Sequence, residues 1–341
     1  MKSCVVTEPF HHEWRETPIP KPKEDEVQIK MMAAGVCGSD IHIYKGENPN
    51  SRYPLIPGHE NVGIVTSVGA DCKRIRVGDH VVVDYVIRCG HCYQCTHGRG
   101  NVCENVLVRG SGTDGGWREY WCVGESYVYK IDDNIPWADA ALIEPLTIGE
   151  HSTKRARVCA DDTVFILGTG TIGTIIAQAC KIKGAKAVIC CDINESSLER
   201  SKNFGADYTI NSKTQNIVDE INRITDGHGC TVAFDAACFP GSLTLILQPG
   251  IVCNAGRVVP MGFCTVPEKI TQQMINGREL EIIGTRMSVD QWTPTAQKMA
   301  EGKYHMEGLA TTFIKFSEID KVFDYIVHPD PEVKKMVILF D

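Results

Sequence analysis

Apolar and polar positions follow two different textures along this chain. Up to about residue 146 the apolar runs are short and β-like: VVTEPF, EVQIKMMAAG, ENVGIVTSVG and DHVVVDYVI, punctuated by turn signals such as Pro-Lys, Gly-Asp and Gly-Gly. This predicts a compact, largely antiparallel β domain. Near residue 162 the texture changes. TVFILG is a short apolar run, TIGTIIAQACKIKGA has helical spacing, and AVICCD is apolar again. ESSLERSKNFGAD reads as an amphipathic helix, followed by YTIN, a further helix, CTVAFDAA, GRVVPMGF and LEIIG. Continuously apolar strands alternating with helices predict a parallel sheet covered on both faces. From about residue 288 the texture is mixed again. It ends in the strand-like MVILF, which predicts a return to the first domain.

Composition narrows the function classes. At 341 residues, two domains are expected. A net charge of -8 gives no electrostatic reason to bind nucleic acid or an anionic membrane. The opening MKSCVVTEPFHH lacks the apolar core of a signal peptide, and no apolar run is long enough to span a bilayer, so a cytoplasmic location is expected. The 16 cysteines are the unusual number. In a reducing compartment clustered cysteines are more often metal ligands than disulfides. Cys180, Cys190, Cys191 and Cys253 sit in apolar stretches and read as packing residues.

Directly after TVFIL comes Gly168-Thr169-Gly170-Thr171-Ile172-Gly173, a GxGxxG between a strand and a helix. In that context Gly168 permits the tight turn, Gly170 admits a pyrophosphate close to the backbone, and Gly173 allows helix–strand packing. Asp192 ends the next strand, 19 residues after Gly173. A carboxylate there can accept from ribose hydroxyls and repel a 2′-phosphate, so NAD is expected rather than NADP.

Cys89, Cys92, Cys95 and Cys103 offer four thiolates within fifteen residues, enough to close a tetrahedral structural zinc site in a lobe near 88–104. His91 and His97 lie inside the lobe and read as surface residues. A dispersed set, Cys37, His59, Glu60 and Glu144, supplies sulfur, nitrogen and carboxylate. It matches a catalytic zinc that keeps a position for water or substrate.

GHENVGIVTSVG, Cys37-Gly38-Ser39-Asp40-Ile41-His42, the four-cysteine lobe and GTGTIG with Asp192 together resemble the zinc-dependent medium-chain dehydrogenase/reductases, over essentially the whole chain. Glu144-Pro145-Leu146 resembles the sorbitol-dehydrogenase-like branch. IYKGENPNSRYPLIPGHE, the DAAC at 235–238 and the MGF at 261–263 are similar to bacterial starvation-sensing and L-galactonate 5-dehydrogenase proteins. The resemblance implies an α/β fold with a GroES-like β domain over 1–146 and 288–341 and a Rossmann NAD-binding domain, a doubly wound parallel sheet, over 147–287. It implies two zinc ions per subunit, NAD, and a homodimer or homotetramer with a small-molecule substrate. Ser39 then resembles the hydroxyl of a proton relay, and His42 the histidine that passes the proton outward. Glu60 and Glu144 are both implied at the metal, one binding it directly while the other holds the zinc-bound water, or the two exchanging during turnover. Glu60 is also counted with the catalytic residues. Ala237 and Met261 join Gly168, Gly170, Thr171, Ile172, Gly173 and Asp192 at the cofactor. The expected reaction moves a hydride between a secondary alcohol, a polyol or a sugar acid such as a hexonate, and NAD, giving the ketone. A sugar-acid carboxylate needs a cation, for which Arg286 is the first candidate, with Arg109 and Arg118 behind it. L-Threonine or sorbitol oxidation is the competing chemistry. A sensing protein that keeps the dehydrogenase fold is the competing class.

Overall fold

The structure, a computed structural model, describes all of residues 1–341. Two compact units emerge: Met1–Thr147 with Val289–Asp341, and Ile148–Ser288. No helix is long and apolar enough to cross a membrane.

The first unit is built on a seven-stranded sheet. Its central strand, Glu26–Val36, alternates half-buried Glu26, Gln28 and Lys30 with buried Val27, Ile29 and Met31, then becomes buried throughout its last four residues. Around it the order is Thr312–Lys315, Met336–Leu339, Glu26–Val36, Glu60–Val68, His80–Val83 and Val128–Lys130, with Tyr120–Gly124 also paired to the central strand. MVILF thus returns as a strand antiparallel to Glu26–Val36. The core beneath holds Val27, Ile29, Met31, Val65, Trp117, Phe323 and Ile338, and each fully buried aliphatic side chain contributes about 1.5–3 kcal/mol.

The second unit carries a six-stranded, wholly parallel sheet. Its order is Tyr208–Asn211, Ala187–Asp192, Thr163–Leu167, Cys230–Asp235, Val252–Pro260 and Glu281–Ile282. Side-chain alternation sorts these strands into two cores. Val164, Ile166, Val188 and Cys190 pack on one face, and Phe165, Leu167, Ile189 and Cys191 on the other. A largely antiparallel β unit and a parallel-sheet α/β unit are therefore present. Cys180, Cys190 and Cys191 are buried. Cys253 is not a core residue as expected. Its strand begins at Val252, ahead of the apolar GRVVP run, and the register irregularity before Val232 leaves Cys253 half-buried beside exposed Asn254 and Ala255.

Candidate zinc and nucleotide sites

Sheet register assembles the first site. Cys37 follows the strand Glu26–Val36 directly and precedes the helix Gly38–Tyr44. Gly35 pairs with Glu60, the first residue of its strand, and Val36 pairs with Met336. Cys37, Glu60 and Lys335 therefore reach one edge of the sheet, with His59 beside them. The Cys37 sulfur, a His59 ring nitrogen and a Glu60 carboxylate oxygen all lie within 4.8 Å of one another. Gly35 is required here for room, because a Cβ would stand 1.8 Å from Glu60 Oε2.

The charges around this trio are arranged for a cation. Asp40 is buried, accepts from the Cys37 amide at 2.9 Å, and lies 3.7 Å from His59 Nδ1. Burial disfavours the His59 imidazolium, yet Cys37 and Asp40 outweigh it and hold the His59 pKa well above its ordinary value. A pocket that attracts a proton so strongly, through sulfur, imidazole and carboxylate donors, fits zinc. Asp40 thus places a buried negative charge behind the His59 ring.

Glu144 is buried but stands outside the mutual set, so the structure does not gather the fourth expected ligand with the other three. Burial pushes its carboxyl up to about 7. The Glu60 charge adds to this, while His59, Lys335 and a hydrogen bond with Tyr85 oppose it. Sequence reasoning missed three residues at this site: Asp40, Tyr85 and Lys335. The Lys335 ammonium is buried, donates to Val36 O at 2.9 Å and engages both oxygens of Glu60. Burial lowers its pKa, but Glu60 and Cys37 raise it further, so it stays charged. The one signal for Lys335 is its place directly before the returning MVILF strand.

The second cluster is local. The sulfurs of Cys89, Cys92, Cys95 and Cys103 lie within 4.8 Å of one another. Two of the separations are 3.8 Å (Cys92–Cys103) and 3.5 Å (Cys103–Cys89). Bonds of about 2.3 Å from a tetrahedral centre put sulfurs about 3.8 Å apart, whereas a disulfide needs about 2.05 Å. The amides of Cys89 and Asn105 point at Cys103 Sγ, at 3.4 and 3.3 Å. The amides of His91 and Cys92 hold the Cys89 thiol well below its usual range. The donor set fits a closed zinc site. His91 and His97 are exposed.

In the second unit Gly168 has φ +92°, and a Cβ there would stand 2.7 Å from the Ala237 amide. A Cβ on Gly173 would meet Gly168 O at 1.9 Å, whereas one on Gly170 would meet nothing within 4 Å. Gly170 opens the helix Thr171–Ile182, and no side chain caps it. That open approach to uncapped first-turn amides fits a phosphate. Asp192 closes the turn: Oδ2 accepts from the Thr169 amide and hydroxyl at 2.7 and 2.9 Å, and Oδ1 from the Ile193 and Asn194 amides at 2.7 and 3.0 Å. Thr171 and Ile172 are half-buried, as is Met261, whose amide bonds Asp235 O at 3.0 Å; Ala237 is exposed.

The remaining expected residues fall into two groups. Ser39 is half-buried. His42 is 62% exposed, with Nδ1 2.7 Å from Glu47 Oε2. Arg286 is exposed, near the end of the second unit. Arg109 and Arg118 have other partners. Arg109 donates to Asp84 O at 3.0 Å and lies 4.3 Å over the Tyr127 ring. Arg118 donates to Gly115 O at 2.8 Å and pairs with Asp114 at 3.5 Å. Both are committed to packing.

Comparison with known proteins shows the family. Residues 23–133 match the alcohol dehydrogenase GroES-like domain, and residues 171–301 the zinc-binding dehydrogenase model. The starvation-sensing protein RspB of Escherichia coli K12 is 35% identical over 342 residues, covering 100% of this chain and 99% of that protein. Sorbitol dehydrogenase of Bacillus subtilis is 31% identical over 316 residues, covering 91% and 89%. A crystal structure of the E. coli CFT073 short chain alcohol dehydrogenase rspB, complexed with NADH, superposes with a TM-score of 0.93 at 34% identity, covering 100% of this chain and 99% of that one. The chain belongs to the zinc-containing alcohol dehydrogenase family. It is an oxidoreductase acting on an alcohol with a nicotinamide cofactor.

Proposed function

We propose that the protein oxidises a secondary alcohol, a polyol or a sugar acid such as a hexonate, to the ketone with NAD. The observation that carries this reading is the Cys37–His59–Glu60 trio, with Cys37 half-buried and His59 and Glu60 buried, and the buried second carboxylate, Glu144, outside it. Three donors leave room for a water or an alcohol, which a closed four-sulfur site does not. Cys37, His59 and Glu60 would hold zinc, whose charge favours the alkoxide form of a bound alcohol. NAD would take the hydride, with its pyrophosphate at the Gly170 helix terminus. Asp192 and the exposed apolar Ile193 after it supply no cation for a 2′-phosphate, which supports NAD over NADP.

The chain's own groups divide the remaining work. Cys89, Cys92, Cys95 and Cys103 would hold a second zinc that pins the lobe. Asp40 keeps the His59 ring in one orientation. Lys335 occupies both oxygens of Glu60, so Glu60 is a held charge rather than a mobile base. Glu144, buried and outside the donor trio, is assigned as the proton acceptor. Ser39 and then exposed His42, with Glu47 beside it, form the route by which the hydroxyl proton reaches solvent. Arg286 is assigned to the substrate carboxylate. We also place the enzyme in the cytoplasm as a homodimer or homotetramer, on the strength of the family likeness. The test is the appearance of reduced nicotinamide with a panel of polyols, hexonates and threonine, with and without a chelator. Chelator-sensitive turnover of a hexonate or polyol bears the reading out. Preference for threonine, or turnover indifferent to chelator, overturns it.

A further inference from the structure

The alternation of the strand Glu26–Val36 turns Val27, Ile29 and Met31 to the core and puts Glu26, Gln28 and Lys30 together on the opposite face. Two of those three find partners there. Glu26 accepts from the Lys23 amide at 3.0 Å, and the Gln28 side-chain oxygen accepts from the Thr66 hydroxyl at 2.6 Å. Lys30 is half-buried, yet its ammonium makes no ion pair or hydrogen bond within the chain. It opens instead on a cavity of about 570 Å³. Small-molecule sites fall in the range of about 300–1,000 Å³. No residue of the zinc or nucleotide sites lines this cavity.

One wall is aromatic. Trp14 meets Phe316 edge-on, with centroids 5.0 Å apart, and Phe316 stacks on Phe340 at 4.2 Å. Phe316 and Phe340 are buried while Trp14 is exposed, so the indole carries the aromatic surface still open to a ligand. The charges sort by register. Lys2 stands directly opposite Glu16 in the hairpin of Lys2–Glu8 and His11–Glu16, and opposite charges so placed offset each other. Glu119 accepts from the Lys2 amide at 2.7 Å. Lys30 and Asp341 are left over. The Phe340 amide donates to Met32 O at 3.0 Å and keeps Asp341 alongside the central strand, but the two charges are not paired with one another. Tyr120, directly opposite Lys30, adds a phenol to the same cavity.

We propose that this cavity binds an α-amino acid with an aromatic side chain, taken up as its zwitterion. The carboxylate goes to Lys30 and the Tyr120 hydroxyl, the ammonium to Asp341, and the ring lies against Trp14. A simple anion would face the Asp341 carboxylate, and a simple cation the Lys30 ammonium, each a like-charge contact that weakens binding. A ligand carrying both charges answers both. The site stands independently of the metal assignment in the preceding section.

The experiment titrates the full-length protein with L-phenylalanine by isothermal calorimetry, beside 3-phenylpropionate, which lacks the ammonium, and 2-phenylethylamine, which lacks the carboxylate. Saturable binding of L-phenylalanine is expected, with each analogue weaker by about tenfold or more. Lys30→Met and Trp14→Ala should each weaken L-phenylalanine by about tenfold, with an unchanged circular dichroism spectrum reporting that the variants have folded. Saturating NADH or a chelator should leave the titration unchanged. Absence of saturable heat overturns the proposal, as does an analogue that binds as well as L-phenylalanine. Binding that survives both substitutions, or that NADH or the chelator abolishes, puts the ligand elsewhere and overturns it too.

Discussion

The two metal-binding clusters of the first unit are built in opposite ways. The lobe takes Cys89, Cys92, Cys95 and Cys103 from one short stretch and lets backbone amides support the sulfurs. The other takes Cys37 from the end of one strand, His59 and Glu60 from the start of its neighbour, and adds Lys335 from a third. The lobe is a local object that one loop can close. The trio exists only once the sheet has its register, and it is surrounded by groups that respond to charge. Sulfurs alone suit a site meant to stay shut. Mixed donors with tethered carboxylates suit one whose ligands must change during a reaction.

Four substitutions sharpen that contrast. His59→Ala removes a donor from the trio and should cut kcat/KM by about a thousandfold or more, several kcal/mol of lost stabilisation of the alkoxide. A steady-state assay showing near-normal turnover would refute the catalytic assignment. Lys335→Met leaves Glu60 buried without its partner, and urea denaturation of the metal-free protein should register a loss of about 3–5 kcal/mol. An unchanged midpoint there would mean that Glu60 is not held by charge. Cys92→Ser should lose one zinc per chain by metal analysis and about 2 kcal/mol of stability. Activity should persist wherever the fold does. If turnover disappears while the fold is intact, the lobe has a direct role in chemistry and the division between the sites is wrong. Asp40→Asn is the mildest, expected to weaken metal binding at the trio by about tenfold through loss of the orienting carboxylate. Competition with a chelator would detect it, and equal affinity would remove Asp40 from the site.

The same contrast explains what could be read from the chain. The lobe was legible because its four ligands are written as spacing, and GxGxxG because a strand and a helix frame it. Cys37, His59 and Glu60 were legible as motif residues. Lys335 was not, since it precedes MVILF in EVKKMVILF and looks like an ordinary solvent-facing lysine. Only the pairing of Val36 with Met336 turns it inward. Asp40 was hidden as a helix first-turn acid, three residues after Cys37, where its cap-like bond to the Cys37 amide gave no hint of His59. Tyr85 lies inside the apolar run DHVVVDYVI, where nothing in the sequence marks its hydroxyl. Arg109 and Arg118 misled for the converse reason: charge suggests solvent or substrate, but both are folded over aromatic rings.

Lys335 also bears on what happens when the metals leave. Within the trio a permanent positive charge already sits on Glu60, so stripping the ion does not strand that carboxylate in a dry interior. The sheet edge can outlive demetallation and take up a fresh ion in place. Backbone amides are what support the lobe sulfurs, and four released thiols in one loop have much to lose to oxidation. Storage, chelation or oxidative stress should therefore injure the two centres differently: reversible emptying at the sheet edge, lasting damage in the loop.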